Sequence, residues 1–408
     1  MRILVHDYAG HPFQVQLSRL LAGRGHQVLH AYSASISGPK GALESRPGDP
    51  SSLELRGLRI RQPLDRYSFV KRRFQEVEYG RHLAEVIGNW RPELILSGNT
   101  PVEAQARAFR CGRRQGARCI HWLQDFYGLA THRLLRKRLP VIGEIAGRYY
   151  RRLETGIVRR ADAVVVITED FVPLLIEQGV EAGRISVIHN WAPLDEITVE
   201  AKDNDWARRH ALAASFCFLY AGTLGMKHNP ELLLGLAEHF RDRSGVRVVV
   251  VSEGAGADFL TEESRSRHLS NLIVLPYQPF GMLSRVLAAG DVLVTILEPE
   301  AGVFSVPSKV LTYHCVGRPL LLAVPPDNLA VRLVSDAGSG LVAPPDRPGE
   351  FISQAERLFT DPELRQRQGQ RARAWAQQQF DIEAIGDRFE ILFEQSAGSP
   401  IQPEDALT

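Results

Sequence analysis

The sequence predicts an α/β protein made of two doubly wound, Rossmann-like domains. Each half of the chain begins with a short apolar run that a glycine closes, at residues 2–8 and 216–220. Each half then alternates helical and strand-like patterns, which is typical of parallel sheets. The chain has 408 residues, which is too long for one ordinary core and favours two domains of about 200 residues each.

The first half begins with a strand, a helix and a second strand. Residues 2–8 (RILVHDY) and 27–32 (QVLHAY) are apolar runs of strand length, and residues 13–23 between them have helical apolar spacing. Residues 33–63 are rich in Ser, Gly, Pro and Arg, and predict a loop with a small hairpin in LELRGLRI, residues 53–60. Further strands are predicted at residues 93–97, 118–123, 163–167 and 185–188.

The second half repeats this alternation. A helix is predicted at residues 230–240, followed by the β-branched run VRVVVV at 246–251, which is typical of a buried parallel strand. Three more strands are predicted, at residues 272–275, 291–297 and 319–324. The domains are therefore predicted at 1–195 and 196–380, with residues 195–205 as a polar linker. A last helix, 381–395, either packs back on the N-terminal domain or belongs to the C-terminal one. Ligands bind at the carboxyl ends of such strands, so we expect the domains to face each other across a cleft.

Composition excludes several classes of protein. The formal net charge is only +2, and the aromatic residues form no stacking motif, so nucleic acid is not an expected partner. The four cysteines include no CxxC pair, and Cys217 and Cys315 lie in apolar stretches, as expected for buried thiols of a reduced, cytoplasmic protein. No apolar run reaches the length of a membrane span, and His6 and Asp7 interrupt the only apolar run near the N-terminus.

The most informative stretch is residues 301–321, AGVFSVPSKVLTYHCVGRPLL. Pro307 and Ser308 are residue types that favour a helix start, and Ser308 is expected to cap the helix. A glycine-containing loop that leads into a helix start can bind phosphate, and Lys309 would add positive charge there. The alternative is an ordinary loop–helix junction.

A second candidate phosphate loop is residues 220–229, YAGTLGMKHN. Gly222 and Gly225 make the loop flexible after a strand, and Lys227 precedes a helix, so backbone amides and an ammonium would meet an anionic ligand. Residues 252–256, SEGAG, form a third and weaker glycine loop. The alternative for both loops is a plain strand–helix connection with solvated side chains.

These segments, read in order with LAAGDVLV, EPEAGVFSVPSK and YHCVGRPLL, resemble the C-terminal half of the GT-B glycosyltransferases of family 4, over residues 216–345. The N-terminal half is similar more loosely, through RGHQV, HWLQDF, RRADAVVVIT and VIHNW. Within that family the chain resembles enzymes of bacterial exopolysaccharide and O-antigen assembly, including the colanic-acid type.

The resemblance implies a retaining transfer from a nucleoside-diphosphate sugar, UDP- or GDP-linked, without a metal or other cofactor. The acceptor would be a saccharide or a polyprenyl-diphosphate-linked sugar, in cell-surface polysaccharide biosynthesis. It also implies that the C-terminal domain holds the nucleotide and the N-terminal domain the acceptor. The residues implied at the diphosphate and sugar-phosphate loops are Gly222, Thr223, Lys227, Ser305, Pro307, Ser308 and Lys309. Preorganised donors there would stabilise the leaving diphosphate.

The chain departs from the family at two positions. Many relatives carry two glutamates eight residues apart, and here those positions hold Phe304 and Thr312. The resemblance then leaves the ribose to Thr312, with Tyr313 beside it. Two upstream residues are candidates to replace the glutamate at the donor sugar, namely Glu298 and Glu300, although a solvated turn explains the EPE sequence equally well.

Polar residues at strand ends are the candidates on the acceptor side. Asp125 follows a predicted strand and is the candidate catalytic residue of the N-terminal domain, with Gln124 beside it. A helix-capping or turn aspartate is the alternative. The remaining acceptor-side candidates are Gly10, His11 and Asn99, and for His11 a satisfied or solvated histidine is an equal alternative.

The region 132–160 mixes nine arginine or lysine residues with leucine, isoleucine, valine and tyrosine, and residues 71–73 add a Lys-Arg-Arg run. This composition favours a peripheral contact with an anionic membrane surface at the inner face of the plasma membrane. A solvated basic helix is the alternative. Two other functions also suit the fold: a nucleotide-sugar epimerase, and a catalytically weak sugar-binding protein.

Overall fold

The computed structural model describes residues 1–36, 40–62, 69–128, 131–132, 140–225, 228–299 and 307–396. The chain divides into two compact units. The first unit comprises Met1–His189 together with the chain from Ile382 onward, and the second comprises Asn190–Asp381. The polar segment 195–205 therefore lies inside the second unit.

The first unit is built on a seven-stranded parallel sheet. Its strands are β1 Arg2–Asp7, β2 Gln27–Ser33, β3 Leu53–Leu58, β4 Leu94–Gly98, β5 Arg118–Leu123, β6 Ala163–Val166 and β7 Ile185–Val187. They lie in the order β3-β2-β1-β4-β5-β6-β7. The α-helices are α1 Pro12–Gly23, α2 Phe69–Trp90, α3 Val102–Arg114, α4 Pro140–Arg160, α5 Phe171–Glu177 and, from the C-terminal segment, α14 Ile382–Gln395.

The second unit has a six-stranded parallel sheet in the order β10-β9-β8-β11-β12-β13. Its strands are β8 Phe216–Ala221, β9 Val246–Val251, β10 Leu272–Leu275, β11 Val292–Ile296, β12 Leu320–Ala323 and β13 Gly340–Ala343. Its α-helices are α6 Asp205–Arg209, α7 Glu231–His239, α8 Ala255–Ser266, α9 Leu283–Ala288, α10 Lys309–Cys315, α11 Leu329–Ala337, α12 Pro348–Thr360 and α13 Pro362–Gln379. The predicted pair of Rossmann-like domains is thus confirmed.

The predicted hairpin at 53–60 is wrong. The segment forms one edge strand, β3, which pairs parallel to β2. Gly57 lies within the strand, where a Cβ would come 3.0 Å from the Tyr32 hydroxyl. This glycine therefore marks a close approach of a neighbouring side chain rather than a turn.

The last helix, α14, packs on α1 of the first unit. A Cβ on Gly386 would come 2.3 Å from Leu20, so the two helices meet closely at that glycine. Arg24, at the end of α1, forms ion pairs with three carboxylates of α14, those of Glu383, Asp387 and Glu390. The aromatic core of the unit also continues into α14, where the ring of Phe389 lies 4.9 Å from that of Trp122.

The strand orders place two loop pairs where sites form in this architecture. In the first sheet the order changes direction between β1 and β4, and in the second between β8 and β11. Ligands bind at the carboxyl ends of the strands at such switch points. Among the described residues, no helix is long and apolar enough to cross a membrane. Cys217 and Cys315 are buried, as predicted.

Candidate active site

The loop after β8 leaves the second sheet through Gly222. Its φ of 127° lies in the region that favours glycine, and its amide donates to the carbonyl of Val251 at 3.0 Å. A Cβ here would come 3.4 Å from both Cε and Nζ of Lys309. The glycine therefore lets the backbone lie directly against the lysine side chain.

Lys309 begins α10, and its Nζ is buried beside β8. The nitrogen lies 3.5 Å from the centroid of the Tyr220 ring. It has no hydrogen-bond partner among the described residues, and burial lowers the pKa of this lysine well below its usual value. A buried ammonium with no anion beside it is unfavourable, so this position is electrostatically prepared for a negatively charged ligand.

Tyr313, one turn further along α10, fastens the helix to the end of β8. Its hydroxyl accepts from the amide of Ala221 at 2.9 Å and donates to the carbonyl of the same residue at 3.1 Å. The side chain is buried. The Tyr313 hydroxyl is therefore occupied by the backbone of β8 and is not free for the predicted ribose contact. The tyrosine instead fixes α10, the helix that begins at Lys309. Its neighbour Thr312 is half-buried.

Two further contacts shape the loop after β8. The Tyr220 hydroxyl donates to the carbonyl of Thr223 at 2.6 Å, which leaves the Thr223 side chain exposed and 3.4 Å from the Tyr277 hydroxyl. A Cβ on Gly256 would come 2.4 Å from the carbonyl oxygen of Leu224. The SEGAG segment thus supports the loop by close packing.

In the first unit, Asp7 ends β1 at the switch point and is fully buried. Its carboxylate accepts from the amides of Ala9, at 3.1 Å, and His11, and lies 3.1 Å from Nδ1 of His11. Burial alone would raise the pKa of Asp7. The charge and hydrogen bonds of His11, together with the charge of His30, outweigh burial and lower the pKa to about 2. Asp7 is therefore ionised at neutral pH.

His11 lies between carboxylates. Burial opposes its protonation, but the charge and hydrogen bond of Asp7 and the charge of Asp125 outweigh that effect, so its pKa is raised above the usual 6.5. Asn99, with a left-handed φ of 52°, places its side-chain nitrogen 3.2 Å from Nδ1 of His11. Asn99 and Asp125 also line one small cavity together with Gln124. The structure thus brings together the predicted acceptor-side residues.

Two family descriptions match the chain in tandem. "Glycosyl transferase 4-like domain" matches residues 11–191, and "Glycosyl transferases group 1" matches residues 205–375. The first match begins at His11, directly after the turn that follows β1, and includes the loop after β4, and the second match includes both loops at the switch point of the second sheet. This chain belongs to the GT-B glycosyltransferases of family 4.

Named relatives of this glycosyltransferase agree with the assignment. It is 26% identical to the colanic acid biosynthesis glycosyl transferase WcaI of Escherichia coli (strain K12), over 56% of each chain. It is 22% identical to the alpha-D-kanosaminyltransferase of Streptomyces kanamyceticus, over 59% of this chain and 62% of the relative. The matched part thus spans less than two thirds of the length of these relatives.

Solved structures share the fold over nearly the whole chain. The complex of Anabaena HepE with UDP-glucose superposes with a TM-score of 0.72 at 16% identity, covering 97% of this chain and 99% of that one. WaaG, a glycosyltransferase of lipopolysaccharide biosynthesis, gives a TM-score of 0.67 at 16% identity, covering 96% and 99%. At these identities the likeness shows the fold.

Several predicted donor-side residues of the glycosyltransferase fall outside the described residues, namely Lys227, Glu300, Phe304 and Ser305. Glu298 is half-buried at the end of the preceding segment. Ser308 is exposed and occupies the N-cap position of α10, but the predicted capping bond is absent from the described contacts. Its φ of −56° and ψ of −23° are helical, whereas a capping side chain needs an extended backbone at this position.

Asp7 is a site residue that the sequence pattern did not predict. It interrupts an apolar run, and it supplies the negative charge that raises the pKa of His11. A signal was available: a carboxylate in an apolar strand, three residues before Gly10, whose φ of 77° makes the turn into α1. A polar residue at the carboxyl end of a central strand is a candidate site residue.

Proposed function

We propose that this glycosyltransferase transfers a sugar, with retention of configuration, from a nucleoside-diphosphate sugar to a saccharide or polyprenyl-diphosphate-linked acceptor. The observation that carries the proposal is the buried, unpartnered Nζ of Lys309 beside Gly222. The relative from colanic acid biosynthesis supports a role in cell-surface polysaccharide assembly. The UDP-glucose in the HepE structure makes a UDP-hexose the first donor to test, before GDP-linked sugars.

On the donor side, breaking the glycosidic bond leaves negative charge on the departing diphosphate. Lys309 would meet that charge in a position already shielded from water, where an ion pair is stronger than in solvent. Gly222 would let the diphosphate approach the backbone, and Thr223 offers an exposed hydroxyl beside it. In this proposal Lys309, rather than a metal ion, neutralises the leaving group.

On the acceptor side, the cluster of His11, Asn99, Gln124 and Asp125 would hold sugar hydroxyls. The Asp7 carboxylate favours a proton on Nδ1 of His11, at 3.1 Å, which leaves Nε2 as the ring nitrogen that can exchange a proton. Asp125 is half-buried at the same cavity. We assign it the role of accepting a hydrogen bond from the acceptor hydroxyl as that oxygen becomes the nucleophile.

The experiment begins with a panel of UDP- and GDP-sugars tested by thermal shift, because a donor that binds the native state raises the melting temperature. The donor that shifts it is then incubated with polyprenyl-diphosphate-linked acceptors, and the anomeric configuration of the product is read by NMR. Lys309→Met should lose the shift, whereas Lys71→Met, at an exposed lysine of α2, should keep it. Donor consumed without acceptor would identify an epimerase instead. Binding without transfer to any acceptor would identify a sugar-binding protein.

We also propose that the first unit contacts an anionic membrane surface at the inner face of the plasma membrane. Three apolar side chains stand four residues apart on α4 and are 75%, 69% and 47% exposed: Val141, Ile145 and Tyr149. Phe74 on α2 is 69% exposed. Its neighbour Arg73 and Tyr149 both contact Glu103, at 2.9 and 3.3 Å, so α2 and α4 lie close together at these residues.

Basic residues surround this apolar face. Exposed cations on the two helices include Lys71, Arg72, Arg73, Arg148, Arg151 and Arg152. An apolar stripe flanked by such cations is the pattern of a helix that lies in a membrane interface. Sedimentation with vesicles of anionic phosphatidylglycerol should retain the wild type, and vesicles of neutral phosphatidylcholine should not. Ile145→Asp should reduce retention at least fivefold, whereas Ile391→Asp, at a 52% exposed isoleucine of α14, should not. Equal retention of both variants would contradict the proposal.

A further inference from the structure

A cavity of about 520 Å³ lies in the second unit at the amino ends of β11 and β12. Asp291 and Pro319 immediately precede those strands, and α13 forms the facing wall. Because the strands are parallel, this is the opposite edge of the sheet from Gly222 and Lys309. The volume is that of a typical small-molecule site.

Three arginines line the cavity, Arg318, Arg365 and Arg373. Each donates from one terminal nitrogen to main-chain carbonyls, at 2.6 to 3.1 Å. Across the described ranges, none of the three forms an ion pair with a carboxylate. The Nε of Arg318 is buried without a hydrogen-bond partner there, and burial lowers the pKa of this guanidinium. The arginines therefore retain donors that no group of the described protein uses.

The carboxylate in the cavity wall, Asp291, already has partners within the protein. Asp291 forms an ion pair with Lys202 and accepts from the amide of Cys217 at 2.7 Å. Its charge is thus balanced by that lysine, and the three guanidiniums leave the cavity positively charged. Guanidinium groups match phosphate oxygens in geometry as well as in charge.

Glutamines on α13 give the same wall neutral hydrogen-bonding groups. Gln366, Gln370 and Gln377 line the cavity and are exposed. Gln366, Gln370 and Arg373 follow each other at spacings of four and three residues, so they share one face of the helix. Amides can both donate to and accept from hydroxyl groups. We propose that this cavity binds a small phosphorylated sugar, with its phosphate at the arginines and its hydroxyls at the glutamines.

Calorimetric titration of the full chain with glucose 1-phosphate at low salt tests the proposal. We expect binding at one site in the cavity, weaker binding of inorganic phosphate, and no binding of glucose. Gln370→Glu and Gln366→Glu each add a negative charge to the wall and should weaken glucose 1-phosphate binding at least tenfold. Gln378→Glu is the matched control, because Gln378 is exposed on the same helix and does not line the cavity.

Lys309→Met separates this cavity from the donor loops. Glucose 1-phosphate bound in the cavity should keep its affinity in Lys309→Met and lose affinity in Gln370→Glu. Glucose 1-phosphate bound at the donor loops would lose affinity in Lys309→Met and keep it in Gln370→Glu. The proposal is overturned by that opposite pattern, by equal affinities of Gln370→Glu and Gln378→Glu, or by the absence of any binding heat.

Discussion

Replacing Lys309 by methionine should raise the stability of the protein while it weakens donor binding. The Nζ of Lys309 is buried, without a hydrogen-bond partner in the described part of the chain, and lies 3.5 Å from the centre of the Tyr220 ring. The cation–π interaction with that ring stabilises the ammonium by about 2 kcal/mol, whereas removing an ammonium from water costs several kcal/mol. Methionine fills a similar space without charge. We expect Lys309→Met to increase the free energy of unfolding by roughly 1–3 kcal/mol at neutral pH.

The stability difference should depend on pH in a defined direction. Burial lowers the pKa of Lys309 well below its usual 10.5, so between the lowered value and 10.5 the unfolded chain binds more protons than the native one. Native stability of the wild type therefore rises with pH through this window. Lys309→Met lacks this contribution, and its advantage should shrink as pH approaches 10. Urea unfolding of both proteins from pH 7 to pH 10 measures the difference.

Donor binding should change in the opposite sense. A hydrogen bond between an ammonium and a diphosphate contributes about 1.5–3 kcal/mol, and each 1.4 kcal/mol is tenfold in affinity. Lys309→Met should therefore weaken binding of the nucleotide sugar by about 10- to 150-fold. The diphosphate should also raise the pKa of Lys309, so wild-type binding at pH 9 should take up a proton. Calorimetry in two buffers with different ionisation enthalpies detects that proton.

A variant that is less stable than the wild type and binds the nucleotide sugar with unchanged affinity would refute this reasoning. It would show that Lys309 is a structural cation held by the Tyr220 ring. Loss of both stability and donor affinity would show that methionine disturbs α10. Lys309→Gln, which keeps a polar end without the charge, would then separate the two effects, because restored stability together with weak donor binding would assign the lost affinity to the missing charge.

Three further predictions test other parts of the protein. Gly222→Ala should destabilise the second unit by about 1 kcal/mol, because its φ of 127° is unfavourable for alanine, and should weaken donor binding by pushing on Lys309; chemical denaturation and calorimetry measure the two effects. Asp7→Asn should lower the pKa of His11 below its wild-type value in an NMR titration, because the neighbouring charge is lost; an unchanged value would disprove the coupling. Phe389→Ala should cost about 3–5 kcal/mol of stability, since the ring is fully buried; a cost below 1 kcal/mol would mean that α14 is not part of the core.

Much of the fold could be predicted because parallel sheets leave a strong local signal. Runs such as VRVVVV at 246–251 are apolar on both faces, and they alternate with helical spacing along both halves of the chain. The hairpin error at 53–60 arose where that signal is weak. Gly57 is compatible with a turn and with a close approach, and only the position of Tyr32 on the neighbouring strand decides between them.

The candidate site could be predicted in part. Glycines and polar residues at strand ends indicated the loops that contain Gly222, His11 and Asn99, because these positions follow from the strand pattern alone. The local sequence does not contain the information that Tyr313 bonds to Ala221, which is 92 residues away along the chain. The role of Tyr313 therefore depended on a contact that only the adjacency of β8 and β11 creates.

The same adjacency bears on Thr312, which stands at a position where the family resemblance implies glutamate. The register of β8 against β11 brings the end of β8 under α10, and the two bonds between Tyr313 and Ala221 fix that helix against the strand. Lys309 is thereby held beside Gly222. In the proposed function, positioning of the cation and recognition of the ribose are thus separate tasks. We expect a neutral residue at 312 to change how a nucleoside is held and to leave Lys309 in place for the diphosphate.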